Sequence, residues 1–140
     1  MERILVDTGF FVALGRSSDA RHDAAKAYLE GCTLRLATVS AVVVETCHFL
    51  RLEARRRFLD WMANDGPAVI DVPPAAYPEL SKTMQRYRER DVDFADAALV
   101  WLAEQTENRA ILTVDDADFR RFRLKGGARF EIVEWQNVHI

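Results

Sequence analysis

The sequence predicts an α/β fold in a single domain spanning residues 1–140, with a central, mostly parallel β-sheet flanked by helices on both faces. Two observations carry that prediction. Short apolar runs such as Ile4-Leu5-Val6, 68–72 and 110–114 read as strands buried on both faces. Those runs alternate with helical segments along the whole chain, without internal repeat or linker. That order implies parallel strands joined by right-handed crossovers.

In chain order, Ile4-Leu5-Val6 is the first strand and ends at Asp7-Thr8-Gly9, where Gly permits a tight turn and Thr can bond the backbone. A short helix is expected over 10–14. Asp19 is a candidate N-cap for a helix over 20–30, which Gly31 stops. A strand over 34–39 leads to Ser40 as the cap of a helix over 41–50. Three consecutive valines there favour a strand, but the cap and the apolar positions Val42, Cys47, Phe49 and Leu50 favour the helix. A helix over 53–64 turns Phe58, Leu59 and Met62 inward and ends at Gly66-Pro67. After the strand at 68–72, Pro73-Pro74 breaks the chain. A polar helix over 75–90 carries Tyr77, Leu80, Met84 and Tyr87 at three- and four-residue spacing. Asp93 caps a helix reaching about 107. A strand over 110–114, a short helix over 116–122 and a last strand over 130–133 complete the order.

The totals bound the function. With 140 residues, 49% of them apolar, the chain can bury a core and is not a disordered or low-complexity polypeptide. No apolar run approaches the ~20 residues of a membrane helix. The N-terminus lacks a signal-peptide layout, so a soluble, cytoplasmic protein with no membrane partner is expected. Cys32 and Cys47 have no metal-site spacing and are expected as packed thiols. A net charge of −3 argues against a generally basic nucleic-acid coat. It leaves room for a local one, because a cluster of acids would itself lower the total. Basic residues concentrate at 51–57 and 120–125, each a solvated helix face or a place to hold phosphate.

Candidate chemistry lies in the acids. In parallel α/β sheets ligands gather at the carboxyl ends of the strands, near a switch in strand order. Asp7 and Asp115 both occupy such ends and should open on the same edge. Each acid also has a structural reading. Asp7 fits a turn aspartate. Glu45, in an otherwise apolar run, is either turned to solvent or in need of a partner. Asp93 and Asp96 form a capping-box-like pair. Asp115 or Asp116 suits a helix cap, and Asp118 an exposed first-turn acid. Together these readings leave unexplained why so many acids share one edge, since close carboxylates repel unless some protonate or a cation neutralises them. Oxygen-only ligands suit Mg²⁺ or Mn²⁺. The histidines offer no competing zinc site, because Cys47 and His48 diverge on a helix and His22 and His139 stand alone. Gly126-Gly127 lacks the lysine and spacing of a phosphate loop.

Ile4-Leu5-Val6-Asp7-Thr8-Gly9-Phe10-Phe11, Glu45 on a helix, Asp93-Phe94-Ala95-Asp96-Ala97 and Leu112-Thr113-Val114-Asp115-Asp116-Ala117-Asp118-Phe119 follow one another in an order that resembles a PIN domain. Within that family the chain most resembles the VapC-type toxins of prokaryotic toxin–antitoxin pairs, over nearly its whole length. The resemblance implies a Mg²⁺- or Mn²⁺-dependent ribonuclease that cuts single-stranded or loop RNA. Asp7, Glu45, Asp96 and Asp115 fall on its acidic quartet. Thr8 and Thr113 match supporting positions, and Asp93 and Asp118 match positions often acidic in this subgroup. It also implies a homodimer blocked by a small antitoxin. Gly9 stands where many relatives have Ser. Two other classes stay in view at this stage: an aspartyl-phosphate phosphotransferase, although Gly9 occupies the place of its usual second acid, and a degenerate RNA- or partner-binding module. A PIN-like RNA-processing nuclease without an antitoxin is the remaining alternative.

Overall fold

A computed structural model describes residues 2–136. Strand β1 (Arg3–Val6) occupies the middle of a five-stranded, wholly parallel sheet. On one side lie β2 (Arg35–Val39) and then β3 (Ala68–Ile70); on the other lie β4 (Ala110–Leu112) and then β5 (Glu131–Ile132). Leu5 pairs with Ala37 of β2 and with Ile111 of β4. The chain therefore builds outward from β1 in one direction and then returns to build in the other. The reversal falls between β1 and β4, where their carboxyl ends diverge into separate connections.

Around the sheet run α1 (Thr8–Gly15), α2 (His22–Gly31), α3 (Ser40–Phe49), α4 (Leu52–Asn64), α5 (Tyr77–Arg86), α6 (Phe94–Thr106) and α7 (Asp116–Arg121). Helix α6 packs on β2 and against α3 and α5. It is buried almost all round, from Ala97 through Ala103, which its alanine-rich start permits by letting backbones approach closely. Leu5, Val6, Phe10, Leu99, Leu102, Ile111 and Leu112 form the centre of the core with essentially no exposure. Phe10 meets Trp135 edge to face at 4.9 Å, and Phe119, Phe122 and Phe130 make a second aromatic cluster beneath α7. Such pairs fill volume while matching ring edge to ring face.

The α/β order agrees with the sequence reading, while several local signals are overridden. Ser40 is the first residue of α3, with Val39 in the cap position and no side-chain cap bond. Asp19 accepts from Arg21 N–H at 2.8 Å, so it closes the turn before α2, which starts at His22. The segment 75–90 is not one helix: α5 lies between single 3₁₀ turns at Pro74–Ala76 and Arg88–Arg90. Pro78 suits a first turn, where no N–H is required, and Asp91 in the left-handed region ends the segment. Leu59, Phe49 and Tyr77 face outward rather than inward. In α3 tertiary packing outweighs the strand preference of valine: Val42 is buried and Val44 exposed, as a helix turns them. The thiols Cys32 and Cys47 are half-buried and free. Among the described residues no helix is long and apolar enough to cross a membrane. His139 lies outside the described residues.

Candidate active site

Asp7 follows the last residue of β1 and caps α1. Its Oδ1 accepts the Thr8 N–H at 2.8 Å and its Oδ2 accepts the Thr113 hydroxyl at 2.9 Å. The same Thr113 oxygen accepts the Asp115 N–H at 2.9 Å. One fully buried hydroxyl thus ties the end of β1 to the turn after β4. Thr113 is itself held, because its carbonyl accepts from Trp135 Nε1 at 3.1 Å and Gln136 Nε2 at 3.3 Å. On the other side of β1, Thr38 donates to the Val6 carbonyl at 2.7 Å. Thr38, Trp135 and Gln136 carry no local sequence signal; they act through contacts that only the assembled sheet creates.

The four acids of the expected quartet come together. A cleft of about 330 Å³ at the reversal point is lined by Asp7, Glu45, Asp96 and Asp115, together with Thr8 and Asp93. Asp93 accepts the Asp96 N–H at 2.9 Å and so caps α6. That leaves the Asp96 carboxyl lining the cleft with no hydrogen bond among the described residues. Glu45, half-buried on α3, has no hydrogen bond or ion pair among the described residues. Asp118 stands outside the cleft, paired with Arg90 at 3.3 Å. One carboxyl oxygen of Asp116 is closed off from solvent without a hydrogen-bond partner among the described residues.

Crowding shows in the protonation of these groups. Burial pushes Asp7 up to about 7; its two hydrogen bonds oppose this, and Asp115 and Glu45 add to it. Asp96 is pushed up to about 8, mainly by burial and then by Asp7, Asp93, Asp115 and Glu45. Asp115 is raised by partial burial and by Asp118, Asp116 and Asp93, with Arg21 pulling the other way. Arg16 and Arg21, which the sequence did not single out, are the cationic side chains on the cleft wall.

Whether this donor set suits a divalent cation can be judged from two features. Asp7 has acceptor capacity beyond its two bonds, and the buried Thr8 hydroxyl beside it has no hydrogen-bond partner among the described residues. All-oxygen donors and clustered charge fit a hard cation. Among the described residues, however, no three acids form a ready-made metal-binding group. The fit is therefore to an ion held by one or two carboxylates with water completing its shell, the usual habit of Mg²⁺, and not to a closed cage. A larger cavity of about 710 Å³, beside Arg3, Arg35 and Trp61, opens at the opposite end of the sheet and contains a single acid, Asp65. The acids gather at the smaller cleft.

Comparison with known proteins follows the same lines. The PIN domain family matches residues 4–125. The chain is 24% identical over 134 residues to Ribonuclease VapC26 of Mycobacterium tuberculosis (strain ATCC 25618 / H37Rv), covering 93% of this chain and 99% of that protein. The crystal structure of Mycobacterium tuberculosis VapC20, a Sarcin-Ricin loop cleaving toxin, has the same fold. It matches at a TM-score of 0.74 and 24% identity, over 82% of this chain and 93% of that one.

Proposed function

The chain belongs to the PIN domain family, and on that premise we propose that it is a metal-dependent endoribonuclease acting at the Asp7–Glu45–Asp96–Asp115 cleft. The observation that carries this reading is the convergence of four carboxylates from separate elements, two of them forced towards protonation by burial and by one another. A pure RNA-binding surface gains nothing from negative charge facing phosphate. The likeness to a ribonuclease and to the fold of an RNA-cleaving toxin supports RNA as the substrate class.

Asp7, Asp96 and Asp115 would hold Mg²⁺ or Mn²⁺, with Glu45 as a further ligand. Such an ion, when bound, activates water and offsets charge developing on the phosphodiester. The chain's own residues do the remainder. Thr113 and the Thr8 N–H hold Asp7 in place, and Thr113 also fixes the Asp115 backbone. Glu45, with no hydrogen bond or ion pair among the described residues, can accept a proton at its carboxylate oxygen or orient the attacking water. Because Asp96 and Asp7 carry protons well above the usual carboxylate range, cation uptake near neutral pH is coupled to proton release.

In the cell the same reading makes the protein a cytoplasmic VapC-type toxin, a homodimer restrained by a small antitoxin. A second reading, a degenerate RNA- or partner-binding module, draws on the lack of a ready-made group of three metal-binding acids among the described residues. The phosphotransferase reading loses ground, because no lysine lines the cleft among the described residues. The test is incubation of purified protein with structured and unstructured RNAs in Mn²⁺ or Mg²⁺, against EDTA and against Asp96→Asn. Cleavage by the wild type alone, lost in EDTA, supports the proposal. Intact RNA throughout favours the binding module.

A further inference from the structure

Beside the acid cleft a second groove of about 750 Å³ opens between the end of α1 and the α3–α4 junction. Arg16 and Phe49 line both spaces, so the two are continuous. The groove is basic where the cleft is acidic: Arg16, Arg51 and Arg57 stand on its walls, against one acid, Glu53, which is paired with Arg56 at 3.4 Å. Arg51 and Arg57 have no ion pair or side-chain hydrogen bond among the described residues. Arg16 donates to the Phe49 carbonyl, which ties the guanidinium to the aromatic residue and leaves its other N–H donors available. Phe49 is 52% exposed, and no aromatic ring among the described residues packs on it.

The second basic run is engaged differently. Arg120 lies 4.0 Å from Asp116 and Arg123 donates to the carbonyls of Arg120 and Arg121, while Arg90, outside the run, pairs with Asp118. Arg55 of the first run is also committed, bonding the Cys47 and Leu50 carbonyls to fix the α3–α4 junction. Among the described residues, uncommitted cations beside an exposed ring and continuous with the carboxylates therefore occur on this side of the cleft.

We propose that this groove is the track for the single-stranded segment flanking the scissile phosphodiester: Phe49 stacks on a base, while Arg16, Arg51 and Arg57 hold backbone phosphates. The proposal rests on the ribonuclease reading and specifies which surface seats the RNA. A positive groove with an aromatic platform is how sequence-tolerant single-strand binding is built. It also suits an acidic cleft, which by itself repels the substrate. Arg16 sits where the two fields meet and positions the phosphate next to the acids.

The test measures binding of a fluorescein-labelled single-stranded RNA in EDTA, together with cleavage in Mn²⁺. Arg51→Ala/Arg57→Ala is expected to weaken binding about 5-fold or more and to reduce the slope of log Kd on log[salt] by roughly 1.4, at about 0.7 for each phosphate of a single strand no longer neutralised. Phe49→Ala is expected to weaken binding about 5-fold or more, with Phe49→Trp restoring it, as removal of one stacking platform predicts. Arg120→Ala/Arg121→Ala should change Kd less than about 2-fold, as expected for scattered surface charge. Matching thermal melts would show that the variants are folded. If the wild type binds and cleaves RNA but the groove variants match it in Kd, salt slope and kcat/KM, the track is elsewhere and only this proposal falls. It falls in the same way if groove variants lose affinity for an acidic peptide and not for RNA. If the wild type neither binds nor cuts RNA, the ribonuclease reading falls and takes the track with it.

Discussion

Asp7 and Asp96 stand at the starts of two helices over one cleft, and they are held in opposite ways. At the start of α1 a single residue does both tasks: Asp7 caps the helix through the Thr8 N–H and presents its carboxyl to the cleft, braced by Thr113. At the start of α6 the tasks are divided, with Asp93 as the cap and the Asp96 carboxyl left without a hydrogen bond among the described residues. Structure and chemistry are therefore fused at the first position and separable at the second. That difference makes the site open to dissection.

The largest separation is expected between Asp96→Asn and Asp7→Asn. Asp96→Asn should lower kcat/KM for RNA by more than the roughly 10–100-fold typical of residues that only orient a ligand. The metal-free protein should be no less stable for it, because the carboxyl replaced is one whose ionisation burial and crowding already oppose. Asp7→Asn should lose activity as deeply and destabilise the fold as well, since the amide cannot accept from both Thr8 and Thr113 at its two positions. Paired melts and rate measurements check the contrast, and equal melting temperatures for the two variants would break it.

Thr113→Val comes next. It keeps the volume while removing the bond that braces Asp7 and receives the Asp115 N–H. A loss of about 1.5–3 kcal/mol is expected above pH 7, where Asp7 carries charge. Activity should fall roughly 10–100-fold, as for other residues that orient a ligand. Urea unfolding and steady-state rates read both.

Gly9→Ser tests the departure from the family pattern. A Cβ at Gly9 would come within 2.3 Å of Val114 Cγ2, and the β-branched valine has little freedom to give way. The expected cost is about 1–3 kcal/mol of overpacking, recovered by Val114→Ala in the double mutant. Gly9 and Val114 thus occupy one space jointly, and the absent hydroxyl has a packing reason.

The smallest effect belongs to Asp93→Ala. Loss of the α6 cap should cost about 1 kcal/mol, with Asp93→Asn restoring most of it. Activity should change far less than in Asp96→Asn. An equally deep loss in Asp93→Ala would contradict the division of labour at α6.

Much of this arrangement was legible in the residues. The acids could be found because strand ends and helix starts leave local marks: Ile4-Leu5-Val6 before Asp7, and Asp93 three residues before Asp96 with small residues following. The parallel sheet followed from alternating apolar runs. The caps at Ser40 and Asp19 were misread because a short polar side chain before an apolar run looks the same whether it caps a helix, opens its first turn or closes the turn before it. The braces from Thr38, Trp135 and Gln136 were invisible for a different reason. Gln136 meets Thr113 across 23 residues of chain and Thr38 meets Val6 across 32, distances at which no local pattern survives. The basic run 51–57 was visible as a place to hold phosphate, but its continuity with the cleft was not, since Arg16 and Phe49 meet across 33 residues.

The pH dependence leads to the decisive measurement. Asp7 and Asp96 titrate higher folded than unfolded, so the folded state holds more protons and stability falls as pH rises. For the metal-free protein this loss runs from about pH 4 through the values of about 7 and 8 reached by Asp7 and Asp96. A cation bound at the cleft should reverse it by mass action. The direct test is therefore a thermal melt at about pH 8, above the folded value of Asp7, titrated with Mn²⁺ or Mg²⁺ for the wild type and for Asp96→Asn. A metal site predicts a saturable rise in Tm for the wild type that is absent or strongly weakened in Asp96→Asn. A wild-type Tm indifferent to both cations, or an equal rise in the variant, would contradict a metal site at this cleft.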